Sequence, residues 1–223
     1  MNLVSIPVIA IDGPTASGKG TVAQKVAEKL GFHYLDSGSL YRLTALAAER
    51  QGVELTNAFA VARVAASLKI AFQDGKTLLD GEDVGDAIRT EFASQNASRV
   101  AALPAVREAL LSLQRDFRVS PGLVADGRDM GSVVFPDAAV KVFLTASAAA
   151  RAERRTKQLK QKGMSAIMSD VVKELRARDD RDMSRPVAPL KHYPDAYLLD
   201  TTGISADVAV ERILAWAQSA AAT

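Results

Sequence analysis

The chain has 223 residues, of which 48% are hydrophobic and 24% charged, so its composition is that of a folded protein with a sizeable core. This length suits one globular domain carrying insertions better than two independent domains. The formal net charge is only +2 and cysteine is absent, which excludes disulfides, zinc–thiolate sites and cysteine nucleophiles and does not demand a polyanionic partner.

The first residues carry no cluster of positive charges ahead of a long apolar run. The apolar stretch at residues 7–11 is too short for a signal peptide or a membrane span. We therefore expect a cytoplasmic protein that has no membrane partner.

The first predicted strand is the continuous apolar run at residues 7–12, which is typical of a strand buried on both faces. A helix then starts at Lys19, because apolar residues recur every four positions until Gly31, which is placed as a C-terminal cap. A second strand at residues 33–36 and a helix at residues 39–50 follow.

Residues 57–103 have a different pattern. Two short apolar segments, 69–72 and 77–79, are separated by an Asp-Gly turn at residues 74–75 and followed by another at residues 80–81. This arrangement predicts a small antiparallel meander. We interpret it as an insertion rather than as another strand–helix repeat.

The rest of the chain returns to alternating strands and helices. In chain order we predict a helix opening at Pro104, strands at 123–126 and 140–144, a basic helix capped by Ser147, a second helix after a break at Gly163, a strand within 195–200 and a closing helix at 206–217. Together with the first elements, this alternation predicts an α/β fold with a parallel five-stranded sheet flanked by helices.

The segment between the first strand and the first helix has the sequence and the context of a phosphate-binding loop. Its residues are Gly13, Pro14, Thr15, Ala16, Ser17, Gly18, Lys19, Gly20 and Thr21. Glycines let the backbone approach phosphates, the helix start attracts anions, and Lys19 can bridge the β- and γ-phosphates of ATP. A chance glycine-rich turn is the alternative. The position after the lysine, usually Ser or Thr, is Gly20 here, so direct Mg²⁺ ligation by the loop is left open.

Several arginines accompany this loop in the sequence. No residue stands out as a catalytic base. The two histidines, His33 and His192, lie outside any motif, and we expect a structural role for His33. Arginines stand beside acidic residues at the ends of predicted elements: Arg42, Arg107, Arg128, Arg178, Arg181 and Arg185. Guanidinium groups fit phosphate oxygens, and a phosphate monoester, mostly dianionic at neutral pH, needs no proton removed to act as a nucleophile. The pattern predicts a phosphate acceptor, and ordinary solvated arginines are the alternative at any single position.

A strongly basic helix follows Ser147. Its cations are Arg151, Arg154, Arg155, Lys157, Lys160 and Lys162, against a single acidic residue, Glu153. We interpret it as a mobile flap that places Arg154 and Arg155 on ATP as catalytic cations and excludes water. An RNA-binding patch and a merely solvated helix are the alternatives.

Several motifs, in order and at matching spacing from about residue 7 to residue 217, resemble those of bacterial cytidylate kinase. They are the phosphate-binding loop, DSG at 36–38 with Tyr41-Arg42, GEDV at 81–84 with Ile88-Arg89, DGRDMG at 126–131, and RDDRD at 178–182 with Arg185. The resemblance implies a P-loop kinase with a core of residues 1–56, 104–146 and 190–223. It also implies a monophosphate-binding insert at residues 57–103 and a helical lid at residues 147–189.

The resemblance also implies which residues bind the acceptor: Ser37, Arg42, Ser98, Arg107, Arg128, Asp129, Arg178, Asp182 and Arg185. Among them, Arg42, Arg128 and Arg185 match residues that hold the acceptor phosphate. Ser98, Arg107 and Asp129 match residues at the base, and Arg178 and Asp182 match residues at the ribose. A carboxylate and an arginine can read the N4 donor and the N3 and O2 acceptors of cytosine, whereas uracil reverses part of that pattern.

Asp36 and Asp126 end predicted strands at the carboxyl edge of the sheet, where ligands bind in this architecture. Asp126 could orient Mg²⁺. A strand cap or a partner of Arg128 is the alternative for either aspartate.

The implied reaction is phosphoryl transfer from ATP, with Mg²⁺, to CMP or dCMP, in a monomer that binds no nucleic acid. One alternative is a kinase of UMP, dTMP or AMP with the same mechanism. Another is a regulatory nucleoside-triphosphatase that docks a partner through its basic helix. The chain has no Asn-Lys-x-Asp element of the kind that reads the base in GTPases, which weakens this last alternative.

Overall fold

The computed structural model describes residues 6–73, 75–161 and 163–222. Its strands are β1 Val8–Asp12, β2 His33–Asp36, β3 Ile70–Gln73, β4 Lys76–Leu79, β5 Glu82–Asp83, β6 Leu123–Gly127, β7 Val140–Thr145 and β8 Tyr197–Asp200. Its α-helices are α1 Lys19–Leu30, α2 Ser37–Arg50, α3 Ala58–Ala66, α4 Glu91–Val100, α5 Pro104–Asp116, α6 Ala148–Gln161, α7 Met168–Met183 and α8 Ala206–Ala221. A 3₁₀ turn, Ala87–Arg89, and a π-helical turn, Met130–Val134, are also present.

The chain divides into two compact units. One consists of Met1–Leu35 with Phe117–Thr223, and the other of Asp36–Asp116. We refer to them as the sheet unit and the middle unit, and we describe each by itself.

The sheet unit is built on a five-stranded sheet in the order β2-β6-β1-β7-β8. Strand β1 lies between β6 and β7 and runs parallel to both, with Asp12 opposite Gly127 on one side and Phe143 on the other. The carboxyl ends of these strands therefore meet at one edge of the sheet, directly before the phosphate-binding loop. The predicted parallel five-stranded sheet is confirmed.

Helices α1 and α8 cover one face of this sheet. Val22 and Val26 of α1 and Ile213 of α8 pack with Ile9 and Ile11 of β1 in a buried apolar cluster. This is the reason for the four-residue repeat that predicts α1, since residues four apart lie on the same face of a helix. Helix α8 continues to Ala221, beyond its predicted end at residue 217.

Helices α6 and α7 form a hairpin in the sheet unit. They pack through a small apolar cluster that includes Ala152, Leu159, Val171 and Leu175. The side chain of Ser147 accepts a hydrogen bond from the backbone N–H of Ala150 at 3.2 Å, which confirms it as the cap of α6. The break after α6 includes Gly163 with φ of 73°, whereas Lys162, counted among the cations of the basic helix, lies outside the described residues.

The middle unit combines four helices of the described chain with a three-stranded antiparallel sheet in the order β3-β4-β5. The predicted meander is confirmed, and Asp74 of its first turn lies outside the described residues. Asp80 and Gly81, in its second turn, both have positive φ. Leu79 and Val84 pack against Leu43 of α2, which joins the small sheet to the helices.

Two helices of this unit, α3 and α4, were not predicted. Each begins at a side-chain cap: Asn57 accepts from the N–H of Ala60, and Thr90 from the N–H of Ala93, both at 3.1 Å. These caps were readable from the sequence, but the helices have only nine and ten residues, so each offers few turns from which a helix could be recognised. No helix in the described part of the chain combines the length and the apolar character needed to cross a membrane.

Candidate functional site

The phosphate-binding loop lies directly against the backbone of β7. A Cβ atom added to Gly13 would be 2.0 Å from the carbonyl oxygen of Leu144, so only glycine fits there. Gly18 has φ of 94° and precedes α1 without a side-chain cap. The first N–H groups of α1 are therefore not capped by the side chain before them, and this positive end of the helix can accept an anion.

Lys19 and Asp126 face each other at the carboxyl edge of the sheet. Lys19 Nζ donates to the carbonyl of Pro14 at 3.3 Å and is 3.9 Å from Asp126 Oδ1, and both side chains are buried. A Cβ atom on Gly20 would be 3.1 Å from Asp126 Oδ2. The carboxylate thus takes the space that a Ser or Thr side chain would need, which explains the glycine after the lysine.

A side chain of helix α6 donates a hydrogen bond to the phosphate-binding loop. The guanidinium of Arg154 donates to the carbonyl of Ser17 at 2.9 Å, to Thr201 Oγ1 at 3.0 Å and to the carbonyl of Thr201 at 2.5 Å. Arg155 follows it on α6 and is half-buried. Arg154 thus contacts the loop through a backbone carbonyl.

Arg151 is a site residue that the sequence analysis did not single out. It is buried, donates to the carbonyl of Thr15 at 3.2 Å and forms an ion pair with Asp179 at 2.7 Å. It therefore connects the loop to α7. Its position three residues before Arg154, on the same face of the helix, was the available signal.

Helix α7 supplies a buried carboxylate that organises two arginines. Arg128 Nε, at the end of β6, donates to Asp182 Oδ2 at 2.8 Å, and Arg185 Nε donates to the backbone carbonyl of Asp182 at 3.2 Å. Burial alone would raise the pKa of Asp182, but the positive charges of Arg128, Arg185 and Arg178 hold it below its usual range. Burial likewise opposes the charge on Arg128, and the Asp182 carboxylate outweighs this and raises the pKa of Arg128 further. Asp182 therefore holds both arginines in place, Arg128 through its carboxylate and Arg185 through its backbone carbonyl.

Asp12, the last residue of β1, is a second site residue that the sequence analysis missed. Its carboxylate accepts hydrogen bonds from the backbone N–H groups of Met130 at 2.8 Å and Gly131 at 2.9 Å. Burial raises the pKa of Asp12 to about 7, with smaller contributions from the charges of Asp129 and Asp126, against the two hydrogen bonds. An acidic residue closing an otherwise apolar strand was the signal in the sequence.

In the middle unit, Arg42 forms an ion pair with Asp36 at the start of α2. Asp36 Oδ1 also accepts from the N–H of Ser39 at 3.2 Å, so this aspartate caps the helix as well. A Cβ atom on Gly38 would be 3.0 Å from Asp36 Oδ1 and 3.3 Å from Arg42 Nη1, so a larger residue would crowd this ion pair. Ser37 is buried in the same turn.

The other two predicted acceptor residues of the middle unit are buried on neighbouring helices. Arg107 on α5 donates to the carbonyl of Ala101 at 3.2 Å, and its guanidinium carbon lies 5.8 Å from the centre of the Tyr41 ring. Ser98 is buried on α4. Ser37, Arg42, Ser98 and Arg107 thus belong to the middle unit, and the sheet unit contains Arg128, Asp129, Arg178, Asp182 and Arg185.

Neither histidine contributes to this edge of the sheet. His33 Nε2 is 3.0 Å from the carbonyl of Ser120, and His192 Nε2 is 2.8 Å from the carbonyl of Ala196. Over residues 6–73, 75–161 and 163–222 no group of three or more His, Cys, Asp or Glu side chains is arranged to hold a metal ion.

Comparisons with known proteins identify the family of the chain. A family model described as cytidylate kinase matches residues 9–219. The cytidylate kinase of Chromobacterium violaceum is 58% identical over 213 residues, covering 96% of each chain. That of Polynucleobacter asymbioticus is 59% identical over 218 residues, covering 98% of this chain and 99% of the relative. Among solved structures, a gluconokinase from Sinorhizobium meliloti 1021 is similar in fold alone, with a TM-score of 0.51, 15% identity, and coverage of 96% of this chain and 94% of that one.

Proposed function

The chain belongs to the cytidylate kinase family, and on that premise we propose that it transfers the terminal phosphoryl group of ATP to CMP or dCMP, giving ADP and CDP or dCDP. The observation that carries the proposal is the charge arrangement at the carboxyl edge of the parallel sheet. There the phosphate-binding loop with Lys19 lies beside Asp126, and Arg128 follows the neighbouring strand with its guanidinium fixed by Asp182.

ATP binds with its phosphates on the loop at residues 13–21. The uncapped start of α1 and the glycine backbone supply N–H donors, and Lys19 neutralises the charge that develops on the transferred group. In the structure Lys19 Nζ contacts oxygen atoms of Pro14 and Asp126. Phosphate oxygens are chemically equivalent partners for an ammonium group. Arg154 and Arg155 are the proposed catalytic cations of α6, and the contact of Arg154 with the loop supports its assignment.

The Asp126 carboxylate fits a role beside Mg²⁺. Mg²⁺ prefers oxygen ligands and is held in such sites by one or two carboxylates together with substrate phosphates and water. Asp126 is the carboxylate that approaches the first turn of α1, where Gly20 leaves room for it. When bound, Mg²⁺ neutralises phosphate charge and orients the transferred group. Asp126 would orient the bound Mg²⁺, directly or through water.

The acceptor monophosphate binds to the preorganised arginines. In the sheet unit the buried cluster of Arg128, Arg185 and Asp182 holds guanidiniums in place before substrate arrives, so that little reorganisation is needed. The full proposed assignment is Arg42, Arg128 and Arg185 for the phosphate, Arg178 and Asp182 for the ribose, Ser98, Arg107 and Asp129 for the base, and Ser37 as a further contact. For the middle-unit residues this assignment rests on the family resemblance.

The reaction needs no general base. The acceptor phosphate is already ionised at neutral pH, so the main obstacle is repulsion between two polyanions. Cations held in fixed positions remove that obstacle, and the in-line attack then follows from positioning. Each histidine has a ring nitrogen within hydrogen-bond distance of a backbone carbonyl, which supports a mechanism without a base.

We further propose that residues 147–189 act as the lid and residues 57–103 as the monophosphate-binding insert around a core of residues 1–56, 104–146 and 190–223. The apolar cluster that packs α6 on α7, with Ala16 of the phosphate-binding loop against it, supports a hairpin that moves as a unit over the loop. The enzyme is proposed to act in the cytoplasm as a monomer and to bind neither nucleic acid nor membrane.

The proposal is tested by measuring ADP formation from ATP and Mg²⁺ with a panel of monophosphates. We expect kcat/KM for CMP and dCMP to exceed that for UMP, dTMP and AMP by at least about tenfold, because an unpaired polar group at the base costs about 1–3 kcal/mol. Equal rates across the panel would contradict the specificity. ATP hydrolysis that no monophosphate accelerates would contradict the kinase assignment and favour a regulatory nucleoside-triphosphatase.

A further inference from the structure

The carboxylate of Asp12 binds a segment of chain far away in sequence. Oδ1 accepts from the N–H of Met130 and Oδ2 from the N–H of Gly131, so each oxygen binds one of two consecutive peptide groups. The side chain is buried. A carboxylate held this way fixes both the position and the direction of the two peptide planes.

Those two peptide planes set the geometry of Asp129. The N–H of Met130 and the carbonyl of Asp129 belong to the same planar peptide group, so a hydrogen bond to that N–H restricts ψ of Asp129. The carbonyl of Asp129 in turn accepts from the N–H groups of Val133 at 2.9 Å and Val134 at 3.2 Å. The backbone of Asp129 is therefore held by Asp12 and by the π-helical turn.

The same turn is packed tightly onto the sheet. A Cβ atom added to Gly131 would lie 3.1 Å from the Cγ of Lys141 on β7 and 3.4 Å from the Cβ of Ala10 on β1. The peptide at Gly131 consequently lies between the Asp12 carboxylate and the side chains of two strands. It has little freedom to shift without breaking one of these contacts.

Asp12 also precedes Gly13, the first residue of the phosphate-binding loop, which itself lies against the carbonyl of Leu144. One residue is thus bonded covalently to the donor-binding loop and by two hydrogen bonds to the segment that includes Arg128 and Asp129.

We propose that Asp12 is a positioning residue for the acceptor: it holds the Arg128–Gly131 segment in a fixed place relative to the phosphate-binding loop and so determines discrimination between cytosine and uracil. This inference rests on the proposed function, in which Asp129 contacts the base. Asp12 touches neither nucleotide and acts through the backbone of its neighbours.

The test is Asp12→Asn, which keeps the shape of the side chain but offers one acceptor oxygen to two N–H donors. Losing one charge-assisted hydrogen bond in this place should raise KM for CMP about tenfold and lower the CMP-to-UMP ratio of kcat/KM about tenfold. KM for ATP should stay within about twofold of the wild-type value, because the loop is held separately by Leu144, Arg151 and Arg154.

Asp137→Asn is the matched control, since it makes the same chemical change at an exposed carboxylate that pairs with Arg118 in the same unit. It should leave both KM values and the CMP-to-UMP ratio unchanged. A merely structural role for Asp12 predicts an equal loss toward both nucleotides with an unchanged ratio. That result, or a folded Asp12→Asn variant with wild-type KM for CMP and ratio, overturns the inference.

Two measurements keep the inference testable if Asp12→Asn does not fold. Hydrogen exchange of the wild-type protein should protect the amides of Met130 and Gly131 as strongly as those of the central strands, and exchange as fast as in an exposed loop would overturn the inference. Gly131→Ala leaves Asp12 intact and places a Cβ atom 3.1 Å from the Cγ of Lys141 and 3.4 Å from the Cβ of Ala10. It should lower the CMP-to-UMP ratio, and an unchanged ratio would overturn the inference too. If the wild-type enzyme shows no CMP-dependent ADP formation, the proposed function itself fails.

Discussion

Replacing Asp12 by asparagine should remove a pH dependence of stability that the buried carboxyl creates. Burial raises the pKa of Asp12 from 3.8 to about 7 in the folded protein. The folded state therefore binds this proton more tightly than the unfolded chain does. The resulting stabilisation is complete below about pH 4 and is lost as the pH rises through about 7.

The size of the effect follows from the shift. About three pH units at about 1.4 kcal/mol each correspond to about 4 kcal/mol over the whole window, of which about 3 kcal/mol falls between about pH 5 and about pH 8. Asparagine does not ionise in this range. The substitution lowers the free energy of unfolding by about 1–3 kcal/mol for one lost hydrogen bond, and this loss is independent of pH. The wild-type protein should therefore lose its advantage over Asp12→Asn as the pH rises.

Urea unfolding of the nucleotide-free proteins at several pH values, without divalent cations, measures this difference. The two proteins share every other ionisable group, so the contributions of those groups cancel in the comparison. Asp137→Asn again serves as the control, because its hydrogen bond with Arg118 lowers the pKa of Asp137 and moves its titration below the window. A difference between wild type and Asp12→Asn that stays constant from about pH 5 to about pH 8 would refute the assignment of a raised pKa.

Three further substitutions test the donor and acceptor sites. Lys19→Ala should lower kcat by about 100-fold or more with little change in the urea midpoint, because it removes a cation that stabilises the transition state; near-normal turnover would contradict this role. Gly13→Ala places a Cβ atom 2.0 Å from the carbonyl of Leu144, and we expect a melting temperature lower by several degrees and weaker ATP binding by calorimetry. Arg128→Lys keeps the charge but loses the Nε contact with Asp182, so KM for CMP should rise about tenfold with KM for ATP unchanged, and equal changes in both would argue against an acceptor role.

Regular, local features of the chain were readable without coordinates. The four-residue apolar repeat of α1, the apolar runs of β1 and β7 and the glycine at the end of α1 predict elements that the structure confirms. These signals are strong because one face of a helix, or both faces of a central strand, must be buried. The short helices α3 and α4 were missed because their caps are single residues and their burial is partial.

The sequence by itself determined the donor site: a loop between a buried strand and a helix, with Lys19 in it, is defined by neighbours along the chain. Only the tertiary structure decided why Gly20 replaces a hydroxyl residue, because the reason is Asp126, which comes from another strand. The same holds for Asp12, whose partners Met130 and Gly131 lie more than a hundred positions away. Contacts of this kind form when parallel strands bring their carboxyl ends to one edge of the sheet. The spacing of residues along the sequence does not predict which side chains meet there.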